Sequence, residues 1–310
     1  MAGPLEYNAT LKSREDFSDV LSTFRVVPDE PIASDEARAF VPGQYMTLGL
    51  NNKEVPDLGS VRRPMSIASA PHQRETLDFY IRYVSSPASD NPLTHLMWTL
   101  KPGDRLYMRN RPAGKFTVED TIGIKDQRTL IYVAAGTGLA PFTSIVFDDA
   151  HTNPSNSLAR HVIMHGSSYD HELGYRTELE SLAQERDLRY LPSVSRPQHC
   201  QDWSGANGRV EDFFKADRLF DTEQRMQMAE GNLTPENCAI FICGLNGTIQ
   251  QTIERLLPRG FIPDNRRIKR ALGVEELPSS IFFEQYDNEP IVDIKNEDEV
   301  ARLKALIPSS

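Results

Sequence analysis

Thr129-Leu130-Ile131-Tyr132-Val133-Ala134 is an unbroken apolar run that leads into Ala135-Gly136-Thr137-Gly138-Leu139-Ala140-Pro141. A strand that is apolar on both faces belongs inside a parallel sheet covered on both sides. A glycine turn leading from such a strand into a helix is the building unit of a doubly wound α/β domain. Backbone N–H groups in a turn of this kind can approach a pyrophosphate, and the helix N-terminus favours the anion. Ordinary strand–helix turns use glycine too, and Gly136-Thr137-Gly138 is shorter than the full GxGxxG pattern.

The same rhythm continues downstream. His161 to His165 reads as a second strand, Glu178 to Glu185 lies on a helix, and Arg189-Tyr190-Leu191-Pro192 reads as a third strand. Ala239-Ile240-Phe241-Ile242-Cys243-Gly244 reads as a fourth strand, followed by a helix over Thr248 to Leu257. Alternation of strands and helices predicts an α/β domain over residues 126–286. The polar, acidic stretch 213–236 reads as a surface insertion, and residues 287–310 as a C-terminal extension with a helix over Asn296 to Ile307.

The first 125 residues differ in character. Phe24 to Val27, Tyr45 to Leu48, Leu77 to Val84 and Arg105 to Met108 are short strand candidates, separated by turns such as Pro42-Gly43 and Lys101-Pro102-Gly103-Asp104. Pro92 to Leu100 reads as a short helix. Many short strands at this spacing predict an antiparallel barrel or sandwich. With 310 residues the chain has room for both domains. The boundary is expected between Gly123 and Arg128.

Composition narrows the class. No apolar run nears the roughly 20 residues of a membrane helix, and Met1 to Arg14 lacks a signal-peptide core, so a cytoplasmic, membrane-free protein is the expectation. Cys200, Cys238 and Cys243 are too few for a disulfide framework or an all-cysteine iron–sulfur site. No metal site is expected. A net charge of −10 argues against nucleic acid as a bulk partner. It leaves room for a local basic patch of Arg62, Arg63, Arg105, Arg109, Arg111 and Lys115.

Arg63-Pro64-Met65-Ser66 reads as an extended segment in which Arg63 and Met65 share one face and Pro64 and Ser66 the other. Pro64 places it at a sheet edge or a strand start. Taken alone, it is equally an ordinary strand with a surface arginine.

Read in order, Arg63-Pro64-Met65-Ser66, Pro92-Leu93-Thr94, Ala113-Gly114-Lys115-Phe116, Gly136-Thr137-Gly138-Leu139-Ala140-Pro141 and Cys243-Gly244 resemble the ferredoxin–NADP(+) reductase family. His165-Gly166 and Glu172-Leu173-Gly174-Tyr175 bring the chain nearest the bacterial branch. The resemblance covers residues 15 to 286. It implies an FAD-binding antiparallel β-barrel domain at 1–125 and an NADP(H)-binding doubly wound domain at 126–286.

The resemblance also implies roles. Arg63 pairs with the FAD pyrophosphate, which suits a planar guanidinium. Ser66 lies near flavin N5, and Met65 stands where the family usually has a stacked tyrosine. Tyr80, Arg82, Val84 and Thr94 border the FAD, together with Gly114, Lys115 and Phe116. A threonine at position 94 also caps a helix in the plain reading. Gly136, Thr137 and Gly138 receive the NADP pyrophosphate. Ser195 and Arg196, with Arg209 as a second cation, hold the 2′-phosphate, while Gln250 replaces a further arginine of bacterial relatives. Cys243 and Gly244 stand at the nicotinamide, and Tyr286 with Glu284 matches the closing Glu-x-Tyr. In the plain reading Cys243 is a small buried residue, and Phe282 to Tyr286 an amphipathic strand. The extension 287–310 is expected to reach over the FAD adenine or a partner surface.

The implied activity is hydride transfer from NADPH to FAD and single-electron transfer to ferredoxin or flavodoxin, by a monomer. The alternatives are the reductase component of an oxygenase, a free-flavin reductase, or a non-catalytic nucleotide-binding module.

Overall fold

The computed structural model describes residues 4–32 and 38–308. Residues 1–3 and 33–37 of the expected barrel, and 309–310 of the extension, lie outside the described residues. The chain divides into two compact units, one formed by 1–123 with 139–154 and the other by 124–138 with 155–310.

The first unit is built on β1 (Ala9–Ser18), β2 (Leu21–Pro28), β3 (Tyr45–Asn51), β4 (Ser60–Ser66), β5 (Leu77–Arg82) and β6 (Arg105–Met108). Its α-helices among the described residues are α1 (Leu93–Thr99), α2 (Val118–Thr121) and α3 (Ala140–Thr152). The strands form one antiparallel sheet in the order β4-β3-β6-β1-β2-β5. Just past the end of edge strand β4, Ile67 bridges Phe79 of the other edge strand, β5, and Ala68 N–H donates to the Asp78 carbonyl at 2.8 Å, which curls the sheet into a barrel. Leu11, Phe24, Val26, Met46, Leu48, Phe79 and Ile81 fill the interior. Their alternation with outward residues follows the period-2 geometry of strands.

β1 carries no apolar run and no strand was expected there. Its ten residues ATLKSREDFS hold only a few core side chains, and pairing with β2 rather than hydrophobicity defines it. β5 stops at Arg82, so Val84 lies two residues past the strand expected to contain it. β4 is an edge strand, where Pro64, opposite Thr47, needs no donor on its outer side.

The second unit holds β7 (Thr129–Ala135), β8 (His161–Ser167), β9 (Arg189–Val194), β10 (Ala206–Asn207), β11 (Cys238–Gly244) and β12 (Ile281–Gln285). Its helices are α4 (Arg176–Arg186), α5 (Leu219–Arg225), α6 (Asn246–Leu256), α7 (Arg266–Leu272) and α8 (Glu297–Leu306). All six strands are parallel, in the order β10-β9-β8-β7-β11-β12. The order reverses beside β7, so the turn after β7 opens at the switch point where ligands bind in such sheets.

One expectation changes here. Residues 213–236 are not a mere surface insertion: Phe213, Phe214, Met226 and Leu233 enter the core, and buried Glu223 accepts from Gly231 N–H and Leu233 N–H, each at 2.9 Å, while pairing with Arg259. Charge in that stretch masked its apolar anchors. The extension after Tyr286 packs on its own α/β unit, with Ile291, Val292 and Leu303 buried in that core. Among the described residues no helix is long and apolar enough to cross a membrane.

Candidate functional site

In the barrel unit, Arg63 is exposed in the middle of edge strand β4. Its hydrogen bond runs to the Arg62 carbonyl at 2.8 Å, and no described carboxylate lies within ion-pair distance of it. Met65, on the same face, is half-buried and packs against the barrel core, while Ser66 is buried. Tyr80 and Arg82 project from β5 on the face opposite Phe79 and Ile81. Tyr80 is buried edge-on to Phe17, with ring centroids 5.7 Å apart. Val84 is exposed. Its N–H donates to Thr94 Oγ1 at 3.4 Å, and its carbonyl meets His95 Nε2 at 2.8 Å.

Thr94 is therefore not the helix cap. The N-cap position of α1 is Pro92, and the Thr94 hydroxyl, two residues on in the first turn, ties down the loop after β5 instead. The Ala113-to-Phe116 segment docks on β3, where Ala113 exchanges backbone bonds of 2.8 and 2.9 Å with Tyr45. Gly114 lies under the Tyr45 ring at φ +105°, and a Cβ there would come within 2.9 Å of it. Lys115 is exposed, whereas Phe116 is buried 5.9 Å from Phe142.

Of the expected basic patch, Arg105 is occupied internally by Asp29 and Thr10. Arg62 lies 5.9 Å from the Tyr107 ring. Among the described residues Arg63 and Lys115 form no ion pair, and such cations suit a dinucleotide's pyrophosphate.

The α/β unit gathers its residues at the carboxyl ends of the strands. Gly136 to Leu139 form a 3₁₀ turn, with Gly136 at φ +54°. Gly138 packs so closely on β11 that a Cβ would stand 2.0 Å from the Cys243 carbonyl oxygen. Glycine is thus required for the turn to reach the strand end, and its backbone is left bare to meet a ligand.

Below the turn, at the end of β8, sits His165. It is wholly buried, with Nδ1 3.1 Å from the Tyr190 hydroxyl and Nε2 buried without a hydrogen-bond partner. Burial pushes its pKa down to about 3, only partly offset by the Gly136 backbone, so the ring is neutral.

Cys243 ends β11 and is also wholly buried. Burial first, then the nearby Glu284 charge, raise its thiol well above the usual range, with the Tyr286 hydroxyl acting the other way. It is no nucleophile. Cys243 is in register with Glu284, and one step on Tyr286 N–H donates to the Gly244 carbonyl at 3.0 Å. The Tyr286 hydroxyl reaches the Thr137 carbonyl at 3.4 Å, so this half-exposed ring spans from β12 to the glycine turn.

Ser195 and Arg196 follow β9 and are exposed. Gly208 N–H bonds the Val194 carbonyl at 2.9 Å, which sets Arg209 beside that strand end. Arg196 lies 5.4 Å from the Tyr169 ring and donates to its hydroxyl at 2.8 Å. Arg209 is exposed, 4.0 Å from Glu211. Two guanidiniums and a hydroxyl at adjoining strand ends form a donor set suited to a phosphate dianion.

Gln250 is engaged elsewhere, donating to Glu299 of α8 at 3.2 Å. Sequence reasoning missed Tyr169 and Asp287 as site neighbours. Neither lies in a motif, and each meets its partner only through the fold. A polar cavity of about 620 Å³, lined by residues including Arg128, Arg189 and Asn237, opens at the amino ends of the strands, far from this chemistry. Among the described residues no group of three metal-ligating side chains forms.

A family model described as an oxidoreductase NAD-binding domain matches residues 132–254. The chain is 30% identical over 235 residues to ferredoxin–NADP reductase A of Sorangium cellulosum, covering 73% of this chain and 76% of that protein. It is 28% identical over 247 residues to the gamma subunit of sulfhydrogenase 1 of Pyrococcus furiosus, covering 77% and 72%. Among solved structures, a ferredoxin NADP+ reductase from Neisseria gonorrhoeae with bound FAD and NADP superposes with a TM-score of 0.68 at 22% identity. That match covers 90% of this chain and 97% of the other, and it shows the shared two-domain fold.

Proposed function

The chain belongs to the ferredoxin–NADP(+) reductase family, and on that premise we propose that it is an NADPH-oxidising flavoprotein serving a separate ferredoxin or flavodoxin. At the coarser level it is an NAD(P)H-dependent oxidoreductase of that family, with FAD and NADP as cofactors. The observation that carries the finer reading is the cluster of Ser195, Arg196 and Arg209 at the ends of β9 and β10. An NAD enzyme is better served there by a carboxylate on the free ribose hydroxyl.

When bound, NADPH supplies a hydride and FAD accepts its two electrons and releases them singly. Arg63 and Lys115 neutralise the FAD pyrophosphate in this reading, and Gly114, Phe116, Tyr80, Arg82, Val84 and Thr94 shape its surroundings. Ser66 offers a hydroxyl near the reacting edge. Met65 gives a sulfur and methylenes in place of a tyrosine ring. Gly136, Thr137 and Gly138 present backbone donors to the second pyrophosphate. Cys243 and Gly244 bound the nicotinamide position, and the Cys243 thiol is uncovered only when the Tyr286 ring swings away from Thr137. Glu284 sets the charge beside that thiol. Holding donor and acceptor in reacting geometry is the protein's main contribution.

The similarity to a sulfhydrogenase subunit, of nearly equal extent, favours a second reading in which the electron acceptor is a fixed partner subunit. The test is anaerobic stopped-flow reduction of the purified holoprotein by NADPH and by NADH, followed by transfer to ferredoxin, flavodoxin and free FMN. Fast NADPH reduction with transfer to a carrier protein is expected. Absence of bound flavin, or a preference for NADH, overturns the finer reading, and transfer to FMN alone makes it a flavin reductase.

A further inference from the structure

β12 ends at Gln285, and the chain does not leave the site after Tyr286. It turns along α6 and is tied to that helix at three levels. At the helix start, Asp287 Oδ2 accepts from Asn246 N–H at 2.8 Å, and Asn246 Nδ2 donates to the Pro290 carbonyl at 2.8 Å. Midway, Gln250 of α6 donates to Glu299 of α8. At the far end, Arg302 of α8 pairs with Glu254 of α6. Gln285 closes the turn itself, donating to Asp287 Oδ1 and to the Glu289 carbonyl. Leu245, at the N-cap position of α6, offers no side-chain acceptor, so the carboxylate of Asp287 serves that orphan N–H from outside the helix. Its negative charge also suits the positive end of the helix dipole.

Two bonds therefore bracket Tyr286: its own N–H to Gly244 on one side, and the Asp287 cap on the other. We propose that Asp287 is a positioning residue that clips the segment carrying Tyr286 to the start of α6, holding the ring over Thr137 and Cys243 and so restraining nicotinamide entry. The inference rests on the reading of Cys243 and Tyr286 as the nicotinamide position. In this arrangement helix α6, rather than a free chain end, sets how readily the ring yields. Release of the clip lets the ring depart more easily and raises nicotinamide occupancy.

The test uses the full-length, flavin-loaded protein and its Asp287→Ala, Asp287→Asn and Arg302→Ala variants. NADP+ is titrated and the flavin difference spectrum read, alongside KM and kcat for NADPH and NADH and the thermal midpoint. Asp287→Ala is expected to tighten NADP+ binding about five-fold, the factor that an ordinary helix cap represents, and to lower KM for NADH by a similar factor. Asp287→Asn keeps an acceptor and restores wild-type values. Arg302→Ala loosens the far end of the strap and lowers the thermal midpoint without changing NADP+ binding.

Should the alanine variant not fold, Asp287→Ser retains a shorter acceptor and is expected to shift binding part of the way. NADP+ binding within two-fold of wild type in Asp287→Ala, or in Asp287→Ser where that stands in, overturns the inference and leaves Asp287 a plain helix cap. Failure of wild-type protein to be reduced by NADPH instead overturns the reading of function on which it rests.

Discussion

Gly138 and Cys243, 105 positions apart in the chain, meet so closely that a Cβ on residue 138 would lie 2.0 Å from the Cys243 carbonyl oxygen. One contact thereby joins the dinucleotide turn to the strand end assigned to the nicotinamide. The partner is backbone, so no side-chain rotation relieves the overlap. Gly138→Ala is expected to displace the turn at a cost of about 1–3 kcal/mol, typical of overpacking. NADPH KM should rise roughly tenfold or more, while FAD content, measured by absorbance, stays at the wild-type level.

Arg196 and Arg209 are expected to separate NADPH from NADH. A charge-assisted bond to phosphate contributes about 1.5–3 kcal/mol. Arg196→Ala should therefore raise KM for NADPH roughly tenfold or more and leave KM for NADH near wild type. Equal losses with both coenzymes in steady-state assays would show that Arg196 only supports the loop through Tyr169.

On the barrel, Arg63→Ala should release FAD. The side chain makes one bond to the Arg62 carbonyl and supports no core contact, so the fold should survive its loss. Equilibrium dialysis of the apoprotein with FAD is expected to show weaker binding by roughly ten- to a hundred-fold, from the same bond strength, with the circular dichroism spectrum unchanged.

His165 sets a pH dependence on stability. Its folded pKa of about 3 lies below the ordinary 6.5, so between those values the unfolded chain binds the extra proton. Its contribution is fully present above pH ~6.5 and is lost as pH falls toward ~3, with a limiting slope of about 1.4 kcal/mol per pH unit. The unfolding free energy from urea titrations should therefore fall more steeply from pH 7 to pH 4 in wild type than in His165→Gln, which has no proton to gain.

Much of the fold is legible in the sequence. Buried parallel strands such as Thr129–Ala135 and Cys238–Gly244 announce themselves through unbroken apolar runs, and Pro64 marks an edge strand by its missing donor. These signals are local: a side chain's burial preference and a residue's backbone freedom act within a few positions. The order of motifs then pointed to the family. Where the signal was local but shared between outcomes, sequence reasoning erred, as with Thr94, which bonds Val84 instead of capping α1, and with 213–236, whose few apolar anchors were hidden among charges.

What the sequence determined by itself is the kind of most major elements, β1 excepted, and the chemistry they carry: an arginine within β4 and another after β9, glycines after β7, a thiol near the end of β11. What the tertiary structure alone decided is which of these meet. The contact of Gly138 with Cys243, the seating of Arg196 on Tyr169, and the clip of Asp287 on Asn246 all join residues many positions apart. Such pairings depend on the path of the whole chain and on the entropy of closing long loops, and no local pattern of residues records that path.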